Sequence, residues 1–236
     1  DLLCPERMII SMPPREGAFA QFIAMRGDNL VTVPNHVSLD AASLAEPIAC
    51  GWHTVKLAKE ALSGSAKTAL VIGGGAIGLG AALSLAAQGL SNVTIVEPNA
   101  LRRDVLNTQC GQTAISPDDL SGDAMFDLVI DGVGYAATRA TASAHTRPGG
   151  VIGHIGLGEG TGGLDVRRMT LQEITFIGTY TYTAQDFHDT AAAIFDGRLG
   201  TLDWTEQRPL SDGASAFSDI RAGRTAAPKI ILNPHS

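Results

Sequence analysis

The sequence has no cluster of basic residues, only three cysteines, and no charged residue at all between Thr68 and Val96. Its formal net charge is −7 at pH 7. Because nucleic acids and anionic membrane surfaces bind clustered Lys and Arg, this composition argues against both as partners. Three widely spaced cysteines make no disulfide framework, so a reducing cytoplasm is the expected location.

The uncharged stretch is long enough to cross a bilayer, but glycines divide it into shorter elements. A β-branched run at 69–72 is stopped by the glycines at 73–75, and an Ala- and Leu-rich segment then continues to Gly89. A second β-branched run at 93–96 is followed by Glu97. This succession of strand, turn, helix, strand and acid predicts one βαβ unit rather than a membrane span.

Three of the glycines fit the pattern G-x-G-x-x-G at the junction of the first strand and the helix. Gly73 would allow a sharp turn, and Gly75 would let the backbone approach a pyrophosphate. Gly78 would let the helix pack closely against the strand. The helix N-terminus offers unpaired N–H groups, so the pattern predicts a dinucleotide site.

Glu97 stands nineteen residues after Gly78, at the end of the second strand. A carboxylate there accepts hydrogen bonds from ribose hydroxyls and repels a 2′-phosphate, which favours NAD over NADP. Arg102 and Arg103 argue the other way, since a nearby arginine can accept that phosphate. A methyltransferase uses a similar turn and acid, so the motif alone leaves that alternative open.

Four more apolar runs predict further strands, at 113–116, 125–134, 146–158 and 173–180, with a helix from about 184 to 197. Near-continuous apolar strands separated by helical segments indicate a parallel sheet that is covered on both faces. The expected fold is therefore α/β, a doubly wound six-stranded Rossmann sheet. Its ligand would lie at the carboxyl ends of the strands, where Gly134 and Tyr180 are found.

The two ends of the chain differ from its centre. Short β-like runs occur at 18–25 and 30–33, and another at 226–234. We therefore expect a nucleotide-binding domain at 51–200 and a second domain built from 1–50 and 201–236.

Several motifs in fixed order carry a resemblance: PPREGAFAQF from Pro13, EPIACGWH from Glu46, the glycine fingerprint, RPGG, IGL, GTYTYT and a closing KIIL. In this respect the chain resembles the zinc-dependent medium-chain alcohol and polyol dehydrogenases, typified by sorbitol, xylitol and idonate dehydrogenases. The resemblance implies hydride transfer from a small alcohol or polyol to NAD, a mainly β GroES-like catalytic domain beside the Rossmann domain, and a homo-oligomer. It makes the methyltransferase reading much weaker.

The resemblance also implies which residues would bind the cofactor. Ile77 would pack beside the nicotinamide ribose, Arg102 would pack on the adenine, and two later segments would line the nicotinamide. The full set is Gly73, Gly75, Ile77, Gly78, Glu97, Arg102, Ile155, Gly156, Leu157, Tyr180, Thr181 and Tyr182. Polyol enzymes often have Arg-Tyr where this chain has Thr181-Tyr182, so one partner for substrate oxygens is missing.

Glu46 is the metal-site residue that the resemblance implies, as a zinc ligand or as the group that holds the zinc-bound water. We expect Glu46 to cap a helix that has Pro47 at its first position. Cys50 and His53 would share its face of that helix, at i+4 and i+7. Three ligands on one straight helix rarely converge on one metal, so we predict only Glu46 as a metal-site residue.

The remaining zinc ligands of the family have no counterpart here, apart from Cys4, which matches the last cysteine of the structural zinc site. No catalytic residue is therefore assigned. Because the sequence does not begin with Met, we expect a longer protein that supplies the missing ligands. A non-catalytic NAD-binding fragment and a zinc-free, quinone-reductase-like member of the superfamily are the alternatives.

Overall fold

A six-stranded parallel sheet forms the centre of the molecule. The computed structural model describes residues 2–235. The strands are β1 (Ala69–Ile72), β2 (Val93–Val96), β3 (Thr113–Ile115), β4 (Phe126–Asp131), β5 (Thr146–His154) and β6 (Thr175–Gly178). Their order is β3-β2-β1-β4-β5-β6, and every pair is parallel. This is the doubly wound dinucleotide-binding order, with its switch point between β1 and β4, so the predicted fold is confirmed.

Helices cover both faces of this sheet. They are α1 (Leu39–Ala42), α2 (Ala45–Ala61), α3 (Ala76–Ala87), α4 (Ala100–Thr108), α5 (Ala136–His145), α6 (Val166–Leu171), α7 (Ala184–Phe195) and α8 (Gly213–Arg221). Successive side chains of β1 enter two separate cores, Val71 on the side of α2 and α3 and Leu70 on the opposite side. Because all four residues of β1 are buried, this strand can carry no charge.

Helix α3 is buried between the sheet and α2, which explains the rest of the uncharged stretch. The two helices touch through their backbones. A Cβ added at Gly51 of α2 would lie 2.5 Å from the Ala81 nitrogen, and one at Gly80 of α3 would lie 3.1 Å from the Ile48 Cα. None of the helices within residues 2–235 is long and apolar enough to cross a membrane.

The flanks contain less β-structure than their sequence predicts. The two parallel strands β7 (Thr205–Pro209) and β8 (Lys229–Asn233) pair with each other, as expected for the closing run. The expected strands at 18–25 and 30–33 are wrong, because these segments find no partner strand within the described chain. Phe19 and Phe22 remain 67% and 89% exposed.

Helix α2 begins two residues earlier than predicted. Leu44 rather than Glu46 occupies the N-cap position, and Pro47 is the third helical residue. The chain arrives from α1 with Ser43 and Leu44 already in helical conformation, so Ala45 continues a turn that has been started. The helix then runs without a break through residue 50, and the division into domains stays a prediction.

Candidate functional site

The turn between β1 and α3 accepts only glycine at two positions. Gly73 has φ +93°, and a Cβ there would lie 2.4 Å from Cγ2 of Val133. A Cβ on Gly78 would lie 1.8 Å from the carbonyl oxygen of Gly73. Gly73 therefore provides the turn and Gly78 the close packing of helix on strand, as the fingerprint predicts.

Gly75 meets a different demand. It caps the N-terminus of α3 in an extended conformation, and a Cβ added to it would have no neighbour within 4 Å. The open space belongs to a groove of about 750 Å³ that runs along the carboxyl ends of β1, β2 and β4. Six of the predicted cofactor residues line this groove: Gly73, Gly75, Ile77, Gly78, Glu97 and Arg102.

Glu97 lies at the floor of the groove and is 5% exposed. Its Oε2 accepts a hydrogen bond from the Gly74 N–H at 2.8 Å, and its Oε1 accepts one from the Asn99 N–H at the same distance. The carboxylate thus fixes the glycine turn and the start of α4 together. A carboxylate can accept about four hydrogen bonds, so two acceptor positions remain for a ligand.

The two arginines that follow Glu97 have different surroundings. Arg103 donates to the carbonyl oxygens of Glu97 and Pro98, both at 2.8 Å, and is not among the residues that line the groove. Arg102 lines the groove, and its Nη1 lies 3.9 Å from the Glu97 Oε2. Its Nε is buried and has no hydrogen-bond partner among residues 2–235. Of the two candidates for a 2′-phosphate partner, only Arg102 is in position.

Sequence reasoning missed Asp131, the last residue of β4, which is fully buried. Its Oδ1 accepts from the N–H groups of Val133 and Gly134, both at 2.9 Å, and its Oδ2 accepts from the Thr138 hydroxyl at 2.9 Å. Asp131 thereby shapes the turn that forms one wall of the groove. The signal available in the sequence was an acid that ends an apolar strand directly before Gly-x-Gly.

His154 ends the neighbouring strand β5, and its Nε2 lies 3.6 Å from the Asp131 Oδ2. Burial lowers the pKa of His154, while the Asp131 carboxylate acts in the opposite direction. Nε2 is buried without a hydrogen-bond partner in the described chain. Like Asp131, His154 stands at the carboxyl edge of the sheet, next to the predicted site.

The segment Ile155–Leu157 lies beside the groove rather than in it. Gly156 packs against the β4–α5 turn, where a Cβ would come within 2.1 Å of the Val133 backbone carbon. Ile155 packs against the core, and Leu157 is 85% exposed. Through Val133 this segment adjoins the groove wall, and its predicted contact with a nicotinamide stays a prediction.

Tyr180, Thr181 and Tyr182 form the loop after β6. The Arg7 guanidinium lies 4.8 Å above the centre of the Tyr180 ring. Tyr182 stacks on Phe187 and lines a second cavity, of about 520 Å³, together with Glu46. Burial and the nearby Glu46 carboxylate raise the pKa of Tyr182. The structure thus brings the predicted metal residue together with a predicted cofactor residue.

The described residues do not assemble a zinc site. No group of three or more His, Cys, Asp or Glu side chains within residues 2–235 could hold a metal ion. Burial, and then Glu46, raises the pKa of the Cys50 thiol to about 12, and His53 Nδ1 pairs with Asp186 at 2.7 Å. The choice of Glu46 alone as the metal residue stays a prediction.

A family model described as zinc-binding dehydrogenase matches residues 76–196, from the first residue of α3 through α7, just over half of the chain. The chain belongs to the zinc-binding dehydrogenase family. This confirms the resemblance found in the sequence and removes the methyltransferase alternative.

Individual members of the dehydrogenase group extend the match to nearly the whole chain. A probable diacetyl reductase ((R)-acetoin forming) of Saccharomyces cerevisiae is 31% identical over 94% of this chain and 57% of its own length. The (R,R)-butanediol dehydrogenase of the same yeast is 26% identical over 99% and 65%. Acetophenone reductase from Geotrichum candidum, solved in complex with NAD, matches with a TM-score of 0.71 at 22% identity, over 84% of this chain and 57% of that one. The chain thus spans about three fifths of the relatives it matches.

Proposed function

We propose that the protein carrying this chain is an NAD-dependent dehydrogenase that takes hydride from a small alcohol or polyol. The observation that carries the proposal is a groove lined by the glycine turn and by the buried carboxylate of Glu97. The turn has no room for side chains at Gly73 and Gly78. The yeast relatives, named for acetoin and butanediol, support a small hydroxylated substrate. NAD bound here would supply the hydride acceptor.

Each groove residue has a role in this proposal. The first-turn N–H groups of α3, beside Gly75, bind the pyrophosphate, and Glu97 binds the adenosine ribose hydroxyls. Arg102 packs on the adenine, and Ile77 packs beside the nicotinamide ribose. Beyond the switch point, the segments 155–157 and 180–182 line the nicotinamide.

The preference for NAD over NADP rests on Glu97, which a 2′-phosphate would approach at close range. We expect Glu97→Gln to lower the ratio of the NADPH dissociation constant to the NADH dissociation constant by about tenfold, because the repulsion between the Glu97 carboxylate and the 2′-phosphate is removed. Glu97→Ala should weaken NADH as well, because the ribose acceptor and the bond to Gly74 are both lost. Fluorescence titration measures each constant, and unchanged NADH affinity in Glu97→Ala would contradict this cofactor pose.

Zinc is the second cofactor that the family implies. Glu46 would supply one oxygen ligand beside Tyr182, and the other ligands would come from outside residues 2–235. The described residues make no complete site, so no catalytic step is assigned to the metal.

The deciding experiment uses the full-length protein, with an intact mass above the 24.5 kDa of these 236 residues. We expect NADH to form when NAD is supplied with a panel of diols and polyols, and a chelator to abolish its formation. Turnover that survives the chelator would favour the quinone-reductase-like alternative. NAD binding without turnover would favour a non-catalytic NAD-binding protein. A homo-oligomer and a cytoplasmic location remain predictions.

A further inference from the structure

The loop that joins β6 to α7, residues 179–183, contains a strained residue. Thr181 has φ +47°, in the left-handed region that a β-branched side chain rarely occupies. Such a conformation persists only where the surrounding contacts hold it. The loop leaves the carboxyl edge of the sheet, next to the second cavity that Tyr182 and Glu46 share.

The entry into this loop is fixed by β5 and α2. The Thr179 N–H donates to the His154 carbonyl oxygen at 2.9 Å, which extends the β5–β6 pairing by one residue. The hydroxyls of Thr179 and Thr54 form a hydrogen bond of 2.6 Å. These contacts hold the residue two positions before Thr181.

The exit from the loop is fixed by a single buried carboxylate. Asp186 is fully buried in the first turn of α7, and its Oδ2 accepts from the Thr183 hydroxyl at 2.6 Å and from the Thr183 N–H at 3.1 Å. His53 Nδ1 pairs with the same oxygen at 2.7 Å, and Lys56 Nζ donates to Oδ1 at 2.6 Å. Asp186 therefore ties the residue two positions after Thr181 to helix α2.

The charge on Asp186 is stable in this setting. Burial opposes ionisation, but the bonds from Lys56, Thr183 and His53 outweigh it and hold the pKa of Asp186 at about 2. Charge-assisted hydrogen bonds of this kind are stronger than neutral ones. An uncharged side chain at this position would loosen the connection between α2 and the loop.

We propose that Asp186 is a positioning residue that holds the loop 179–183 in the conformation that receives the nicotinamide end of the cofactor. The inference rests on the proposed function. The sheet order supplies the direction: Glu97 follows β2 on one side of the switch point, and this loop follows β6 on the other. A dinucleotide spans both halves of such a sheet, so its nicotinamide lies on the β6 side.

The test compares two ligands in the full-length protein. NADH carries the nicotinamide, whereas ADP-ribose occupies only the adenosine, pyrophosphate and ribose positions. We expect Asp186→Asn to raise the dissociation constant of NADH about tenfold, the effect of losing one charge-assisted hydrogen bond. The dissociation constant of ADP-ribose should stay within about twofold of the wild-type value. Asp189→Asn, on the same helix, is the matched control and should change neither dissociation constant, since the Asp189 carboxylate accepts a hydrogen bond from the Gln185 side chain at 2.8 Å and acts on Lys56 only through charge among the described residues.

Each outcome has a distinct meaning. If Asp186→Asn weakens both ligands equally, or neither, Asp186 has no positioning role and the inference fails. If the wild-type protein binds neither ligand, the proposed function itself fails. Should Asp186→Asn not fold, Lys56→Met gives the same comparison, since it removes the charged donor at Asp186 Oδ1. A loss confined to NADH supports the inference, and an equal loss of both ligands overturns it.

Discussion

Gly78 stands where the backbone of α3 comes closest to the glycine turn, so Gly78→Ala is the sharpest test of the site. The new Cβ would lie 1.8 Å from the Gly73 oxygen, whereas carbon and oxygen in ordinary contact are about 3.3 Å apart. The first turn of α3 must therefore move by about 1.5 Å, and such overpacking costs about 1–3 kcal/mol. The same displacement turns the first-turn N–H groups away from a pyrophosphate.

We expect Gly78→Ala to lower the midpoint of urea unfolding and to raise the dissociation constant of NADH by about tenfold or more. Gly75→Ala is the matched control: its φ of −73° suits alanine, and its Cβ would enter open space at the edge of the groove. That variant should change stability by no more than about 1 kcal/mol, the range for a helix cap, while still weakening NADH. If Gly78→Ala has the urea midpoint and the NADH affinity of the wild type, the close approach between Gly78 and Gly73 is wrong.

Two further predictions concern ionisable groups away from the groove. Burial opposes ionisation of Asp127, but the Arg147 guanidinium and the Lys67 and Thr68 amides hold its pKa at about 2. Because this pKa is depressed in the folded state, about 2 kcal/mol of stability should be present above pH ~4 and be lost as the pH falls toward ~2. Urea unfolding should show this loss in the wild type, and Asp127→Asn should be destabilised near neutral pH and lack this part of the acid dependence. Burial raises the pKa values of Cys50 and Cys110 to about 12, so alkylation of the native protein near pH ~8 should modify Cys4 first. Peptide mass spectrometry reads the sites, and early labelling of Cys50 would contradict its burial.

The sheet could be predicted from the sequence because the residue patterns that indicate its strands and turns are local. Each strand is a short apolar run, and the demand on Gly78 is set by Gly73, only five residues earlier in the sequence. The strands expected at 18–25 and 30–33 failed because pairing depends on a partner strand, which local β-propensity does not reveal.

The polar networks could not be predicted, for a related reason. Asp186 pairs with His53 across 133 positions of sequence, and the positive φ of Thr181 has no signature in its residue type. In the sequence, Asp186 is simply one more acid near the start of a helix. Its importance follows only from the packing of α7 against α2, which brings these distant donors to one carboxylate.

The backbone contact between α2 and α3 determines how the two cavities are related. Glu46 stands in the first turn of α2 and Ile77 in the first turn of α3, while Gly51 and Gly80 bring the two main chains together about one turn further along. With no side chain between the helices, neither can slide along the other without a clash of backbone atoms. The spacing between the groove and the Glu46 cavity is thus a property of the main chain. Residues that line either cavity can therefore be exchanged without altering the distance between the two cavities.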